Sequence, residues 1–145
     1  MEIKIEEITH IDKAFAKAVG HLVPQLSSRA SAPSVERLER VVSNPSAHLF
    51  AAVTDDGSTA GMATLIINDI PTVCKAWLED VVVDERHRGL GIGRALVLQA
   101  AKRARECGAE QLLLTSNPSR TAARRLYAEC GFSEVETTVF RLGLK

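Results

Sequence analysis

Cysteine is scarce in this chain: Cys74, Cys107 and Cys130 are the only three in 145 residues. Their odd number and wide spacing exclude a disulfide framework and a zinc cluster. No histidine pair has metal-ligand spacing either, so no metal is expected. Net charge is absent, with 18 Lys plus Arg against 18 Asp plus Glu, which removes any global electrostatic case for a nucleic-acid or membrane partner. No apolar run approaches the roughly 20 residues that span a bilayer. Residues 1–7 mix charges with isoleucine and lack the apolar segment of a signal peptide. Both Asn-x-Ser frames, at Asn44 and Asn117, carry proline in the middle and are poor glycosylation acceptors. Repeats and low-complexity tracts are missing as well. The expectation is a cytoplasmic protein in a reducing compartment.

What is present is an ordinary globular balance, 46% apolar and 25% charged. The length suits one compact domain, able to bury roughly two thirds of its unfolded surface without a staple. Residues 2–8 roughly alternate and read as a strand. Ile11, Phe15, Val19 and Leu22 recur at helical spacing within residues 10–26, with Pro24 near the end. A serine-rich loop follows, then a helix with Ser34 as N-cap and Val35, Leu38, Val41 and Val42 inward. Strand patterns occupy 48–53, 61–67 and 76–83, separated by turn signals at 55–57 and 68–71. A helix over about 91–107 buries Ile92, Leu96, Ala100 and Ala104, and Gly108 ends it. Residues 111–116 form a further strand, 118–130 a helix stopped by Gly131, and 137–142 a last strand. The order β-α-α-β-β-β-α-β-α-β is an α/β sandwich mixing hairpins with crossover helices.

The informative segment runs from Asp80 through Val81, Val82 and Val83 to Arg94. In it, three alternating glycines, Gly89, Gly91 and Gly93, lie between Arg88 and Arg94, and a helix starts inside them. Backbone N–H groups at a helix start have no intrahelical acceptor and converge with the positive end of the helix dipole. Glycine permits positive φ and lets a ligand approach the main chain. Arg88 and Arg94 supply charge-assisted hydrogen bonds at the edges. Pyrophosphate is the natural occupant of such a turn. A Walker loop is excluded because no Lys-Ser or Lys-Thr follows the last glycine, and the dinucleotide fingerprint needs glycine where Arg94 sits. A plain tight turn from strand to helix remains the bland alternative.

Arg88-Gly-Leu-Gly-Ile-Gly after a β-branched strand resembles the acetyl-coenzyme A signature (Gln/Arg)-x-x-Gly-x-(Gly/Ala) of the GNAT superfamily of N-acetyltransferases. A second block, Ala123-x-x-Leu126-Tyr127-x-x-x-Gly131-Phe132, resembles that family's Ala-x-x-Leu-Tyr-x-x-x-Gly-Phe motif. The element order fits as well, so the resemblance covers essentially the whole chain. It implies the acyl-CoA N-acyltransferase (GNAT) fold, a mixed central sheet flanked by about four helices. A splayed gap would separate the 76–83 and 111–116 strands, all within one domain over residues 1–145. The implied activity is acetyl transfer from acetyl-CoA to a primary amine, by direct attack in a ternary complex and without a metal. A small amine is favoured: an amino sugar, a polyamine or an amino-acid derivative. Acetylation of a protein or peptide, and a CoA-binding module without catalysis, are the alternatives.

The resemblance also implies roles. Main-chain groups of Val81, Val82 and Val83 would pair with the pantetheine arm, and an amide near Val81 or Val82 would polarise the thioester carbonyl. Amides of Arg88, Gly89, Leu90, Gly91, Ile92, Gly93 and Arg94 would hold the pyrophosphate. Tyr127, the one tyrosine in the chain, would protonate the departing thiolate; by periodicity alone it is a core residue on the stripe of Ala123, Leu126 and Cys130. Many relatives carry asparagine where Arg120 stands. Asn117 could hydrogen-bond pantetheine amides, cap the next helix with Pro118 at its first position, or do both. Arg120 could reach the coenzyme phosphates or lie on a solvated face. Glu79 is the candidate base, placed by resemblance to glucosamine-phosphate acetyltransferases, with Asp80 beside it; a carboxylate among apolar neighbours gains the raised pKa that proton removal needs. His48 and His87 are the other base candidates, and Cys130 at a helix C-terminus is a poor nucleophile. A loop over 24–35 and a turn over 69–75 would choose the acceptor. A last strand at 137–142 could pair across a homodimer.

Overall fold

The computed structural model describes residues 2–145; Met1, at the head of the charged opening stretch, lies outside them. Two compact units emerge, Met1–Thr115 and Ser116–Lys145. The first holds β1 (Lys4–Ile8), α1 (Lys13–Leu26), α2 (Val35–Ser43), β2 (Ala47–Val53), β3 (Thr59–Ile70), β4 (Val73–Val83), a 3-10 turn (Glu85–His87), α3 (Ile92–Glu106) and β5 (Leu112–Leu113). The second holds α4 (Thr121–Glu129).

Local chemistry sets the helix starts. The Phe15 amide donates to Asp12 Oδ1 at 2.7 Å, and the Arg37 amide to Ser34 Oγ at 3.1 Å, each satisfying one of the orphan donors of a first turn. Phe15, Val19 and Leu22 are buried on α1, and Ile92, Leu96, Ala100 and Ala104 on α3, as their spacing requires. Val35 is an exception at 41% exposed. It opens α2, and the face reaching the core begins with Leu38.

The sheet order is β1-β2-β3-β4-β5, antiparallel as far as β4 and parallel at β5. Leu49, Ala51, Met62 and Val82 cluster with Phe15, Val19 and Leu22 of α1 and Leu38 of α2. Successive strand residues face opposite sides, and Gly61, next to Met62, faces α3: a Cβ there would lie 3.3 Å from Leu96 Cδ1 and 3.4 Å from Ile92 Cγ2. Helices therefore cover both faces of the sheet, the α/β architecture the resemblance implies.

Three elements depart from the sequence reading. Strand β5 is two residues long rather than covering 111–116: Leu112 and Leu113 stand in register with Ala76 and Trp77, the Gln111 carbonyl still accepts from the Ala76 amide at 2.9 Å, and past Leu113 the pairing stops. Helix α4 starts at Thr121, not at Pro118: Asn117 Oδ1 accepts from the Ser119 amide at 3.0 Å and the Ser119 hydroxyl at 2.9 Å. That bond closes a local turn ahead of the helix, whose N-cap, Arg120, makes no side-chain capping bond. Residues 137–142 form no strand; 133–145 carry no helix or strand at all. Their composition suits a strand, but a strand exists only with a neighbour to complete its hydrogen bonds.

Gly61→Ala is expected to destabilise the fold, since its Cβ would also sit 2.9 Å from the Val82 carbonyl oxygen, a backbone atom that cannot swing aside. A loss of about 1–3 kcal/mol should lower the calorimetric Tm by roughly 3–10 °C. An unchanged Tm would mean that α3 does not press on β3 there.

Candidate active site

Beyond Trp77, β4 has no partner on its β5 side, which opens the splayed gap. Its other side is irregular too. Met62 faces Val82 and Thr64 faces Glu79, so Ala63 alone stands against Asp80 and Val81. This is a β-bulge. Asp80 sits in it at φ 51°, the one non-glycine residue at positive φ among the described residues. Such a conformation costs on the order of 1–3 kcal/mol and persists only where its surroundings enforce it. The bulge leaves Val81 without a register partner on either side. Glu79, exposed and one residue ahead of the bulge, has its carboxyl pKa raised, first by desolvation and then by the neighbouring Asp80 charge.

The chain then turns on a buried carboxylate. Asp84 is 2% exposed; its amide donates to Ala60 O at 2.8 Å and its carbonyl accepts from the His87 amide at 2.8 Å. Its Oδ1 accepts from the Arg86 amide at 3.2 Å and its Oδ2 from Arg86 Nη2 at 3.1 Å. Gln25, near the end of α1, joins the same knot: its Nε2 donates to Asp84 Oδ1 at 3.5 Å, and its Oε1 accepts from the Glu85 amide at 2.8 Å. Burial would raise the Asp84 pKa, but the Arg86 bonds and charge, with the Gln25 bond, outweigh it and bring the group down to about 2. His87 Nδ1 is buried without a hydrogen-bond partner, 3.8 Å from Asp84 Oδ2.

From this anchor the glycine turn leads away. Arg88 Nε donates back to Val83 O at 3.3 Å. Gly89 and Gly91 adopt φ of 82° and 79°, which side chains resist, and nothing lies within 4 Å of a Cβ placed on either. The space above them is open. Gly91 is the N-cap of α3 and offers no side-chain acceptor, so the amides of the first turn are left for a ligand. Arg88, Gly89, Leu90, Gly91 and Arg94 are exposed while Ile92, 2% exposed, pins the helix start into the core. The same unit thus sets free amides, two arginines and an unpaired strand edge along one continuous segment.

The second unit holds the other expected residues. Tyr127 is buried at 9% exposure and meets Phe132 edge to face, with centroids 5.9 Å apart. Its pKa is raised, chiefly by burial and further by Cys130, with the Arg120 charge opposing. The Phe132 amide donates to Tyr127 O at 3.0 Å and the Gly131 amide to Ala128 O at 3.1 Å, with Gly131 at φ 99°. This pair of bonds is a Schellman cap, including its apolar contact. Asn117 and Arg120 are exposed.

Asp84, Gln25 and the Asp80 conformation escaped the sequence reading. Asp84 had a readable signal, a short acidic cap ahead of a turn; Gln25 and Asp80 had none. His48, the alternative base, is held at 3.0 Å from Glu7 Oε2 through Nδ1, with Cys107 Sγ 3.8 Å from its Nε2. These contacts tie β1, β2 and the end of α3 together.

The sequence matches the acetyltransferase (GNAT) family over residues 12–132. It is 28% identical over 117 residues to aminoglycoside N(6')-acetyltransferase type 1 of Stenotrophomonas maltophilia, spanning 77% of this chain and 76% of that one. Glucosamine 6-phosphate N-acetyltransferase 1 of Oryza sativa subsp. japonica is 30% identical over 139 residues, 88% of this chain and 78% of that one. The fold is shared with AAC(6')-Iy, solved in complex with the bisubstrate analog CoA-S-monomethyl-acetylneamine: TM-score 0.80 at 19% identity, covering 99% of both chains.

Asp84 makes stability depend on acid. An unfolded aspartate titrates near 3.9, so with the folded pKa near 2 its contribution is complete above about pH 4 and is lost as pH falls toward 2. The difference amounts to about 2.5 kcal/mol. Asp84→Asn should be less stable than wild type at pH 6 by urea denaturation, with the gap narrowing toward pH 2. A gap constant with pH would show that Asp84 is not ionised in the fold.

Proposed function

The chain belongs to the acetyltransferase (GNAT) family, whose acyl donor is acetyl-coenzyme A, and we propose that it acetylates the primary amine of a small molecule by direct attack in a ternary complex. An amino sugar is the favoured acceptor class, in keeping with relatives that are named for aminoglycosides and glucosamine 6-phosphate. The observation that carries the reading is the unpaired edge of β4 running directly into the free amides at the start of α3.

The coenzyme's diphosphate would be held by the amides from Arg88 to Arg94, with the two guanidiniums at its rim. Val82 and Val83 supply main-chain groups to the pantetheine arm in place of a neighbouring strand, and the Val81 or Val82 amide polarises the thioester carbonyl. Glu79 removes a proton from the acceptor's ammonium, directly or through water; its raised pKa suits that task near neutral pH. The freed amine nitrogen bonds to the carbonyl carbon, the carbon–sulfur bond breaks, and Tyr127 gives its proton to the thiolate. A pKa raised by burial keeps that phenol protonated until it is needed. Asn117 and Arg120 are further candidate contacts for the coenzyme. Residues 1–145 are read as one catalytic domain working in the cytoplasm.

Calorimetry with coenzyme A, and thiol release from acetyl-coenzyme A over a panel of amino sugars, polyamines and peptides, test the reading. Binding and turnover with an amino sugar are expected. Turnover with peptides alone would move the assignment to protein acetylation, and binding with no turnover on any amine would leave a coenzyme-binding module. With the best amine, Tyr127→Phe should bind the coenzyme as wild type does while kcat falls at least roughly tenfold; an unchanged kcat removes Tyr127 from the chemistry. In Glu79→Gln the acidic limb of the pH–rate profile should vanish, and its survival would reject this base.

A further inference from the structure

At the end of α3 away from the glycine turn, side chains from three elements converge. Helix α3 has 15 residues, so its two ends lie about 20 Å apart. On the sheet, Glu7 of β1 stands opposite Phe50 of β2. His48, two residues from Phe50, shares its face, which makes Glu7 and His48 diagonal neighbours. Cys107, the C-cap of α3, comes down onto His48.

The three stand in series. His48 Nδ1 lies 3.0 Å from Glu7 Oε2, and His48 Nε2 lies 3.8 Å from Cys107 Sγ. Desolvation would raise the Glu7 pKa, but the bonds and charges of His48 and Arg103 outweigh it and hold it below the ordinary glutamate value. An ionised carboxylate can only accept, so Nδ1 carries the proton and Nε2 turns its lone pair to the thiol. His48 is 9% exposed, so packing fixes the ring as well. A nucleophile, a base and a group that orients the base follow in the order that covalent chemistry uses. Tying α3 to β1 needs only Arg103, whose Nε lies 3.1 Å from Glu7 Oε1. The thiol is surplus to that task.

The negative end of α3 works against a thiolate at Cys107. Two cations oppose it: protonated His48, and Arg103, whose pKa is raised first by the Glu7 bond and then by the Cys107 charge. Glu106, 3.9 Å from Arg103 Nη1, draws off part of that second charge, which leaves His48 as the stronger aid. Access selects the reagent. Cys107 is half-buried beside a buried ring, a setting for a small electrophile whose leaving group takes a proton from the imidazolium. A hydroperoxide meets both conditions.

We propose that Cys107 is a redox modification site, oxidised by a hydroperoxide to a sulfenic acid, with His48 as base and acid and Glu7 holding the ring. The thiol proton moves to His48 Nε2 and the sulfur attacks the peroxide. A sulfur–oxygen bond forms as the oxygen–oxygen bond breaks, and the departing oxygen takes the proton back from His48. With hydrogen peroxide the products are the sulfenic acid and water; sulfur is oxidised and peroxide reduced.

The test treats the full chain with dilute hydrogen peroxide and dimedone, which captures sulfenic acids, and follows each cysteine by peptide mass spectrometry. Cys74 is an internal control, its thiol pKa raised by desolvation and by the charges of Asp69, Cys107 and Glu110. Cys107 is expected to label at least roughly tenfold faster than Cys74 or Cys130. His48→Gln should slow Cys107 at least roughly tenfold. Glu7→Gln should slow it too, because an amide can donate to the ring and fix the wrong tautomer; this milder change carries the test where His48→Gln does not fold. Loosened packing would bare the sulfur and speed its labelling, so a slower reaction in a folded variant reports on chemistry. Equal labelling of the three cysteines, or variants that label as fast as wild type or faster, would overturn the site.

Discussion

A strand that parts from its neighbour leaves a row of backbone donors and acceptors unmatched, and that constraint organises the first unit. From Leu78 to Val83, β4 has no partner on its β5 side. Buried main-chain polar groups are almost always paired, so such a row calls either for water or for a ligand with amides of its own. The extended pantetheine arm has that chemistry. The bulge at Asp80 adds to the effect by taking Val81 out of register with β3 as well.

What the open edge cannot do is hold charge; in the proposed reading that task falls to the turn after β4. A phosphate site built from backbone amides works only if the amides stay aimed, because glycines at positive φ have little stiffness of their own. Rigidity is brought in from below. Asp84 holds the Arg86 amide and guanidinium with a nearly inaccessible carboxylate and the His87 amide with its carbonyl, and Ile92 sinks the first residue of α3 into the core. Gln25 then ties the end of α1 to the same knot. That helix runs into the loop expected to select the acceptor. The turn after β4 and the end of α1 are thereby fastened to one buried anion.

Periodicity made the helices and their buried faces legible, because each stripe satisfies its own local rule: the spacing of Ile92, Leu96, Ala100 and Ala104 needs no knowledge of β3 to be read. The glycine turn was legible for the same reason. The bulge was not, since nothing in Glu79-Asp80-Val81 distinguishes a left-handed aspartate from an extended one; the register with β3 decides it. The length of β5 and the state of 137–142 were over-read in one way. A strand pattern records what a segment would bury, and whether a partner lies beside it is a property of the whole sheet. Of the two roles open to Asn117, pantetheine contact and helix cap, the cap is not taken up, because a nearer donor, the Ser119 amide, takes its oxygen first.

The Leu-Tyr-x-x-x-Gly-Phe block separates what folding needs from what it does not. Gly131 is accounted for by its φ of 99°, and Phe132 by its amide bond to Tyr127 O and its ring contact. Both belong to helix termination and would be wanted in a protein with no activity. The aromatic ring of Tyr127 is accounted for in the same way, as the partner of Phe132. The hydroxyl is not, for a phenylalanine would cap and pack equally well. Catalysis therefore has to be argued from that one atom, and the motif as a whole should not be counted as evidence for it.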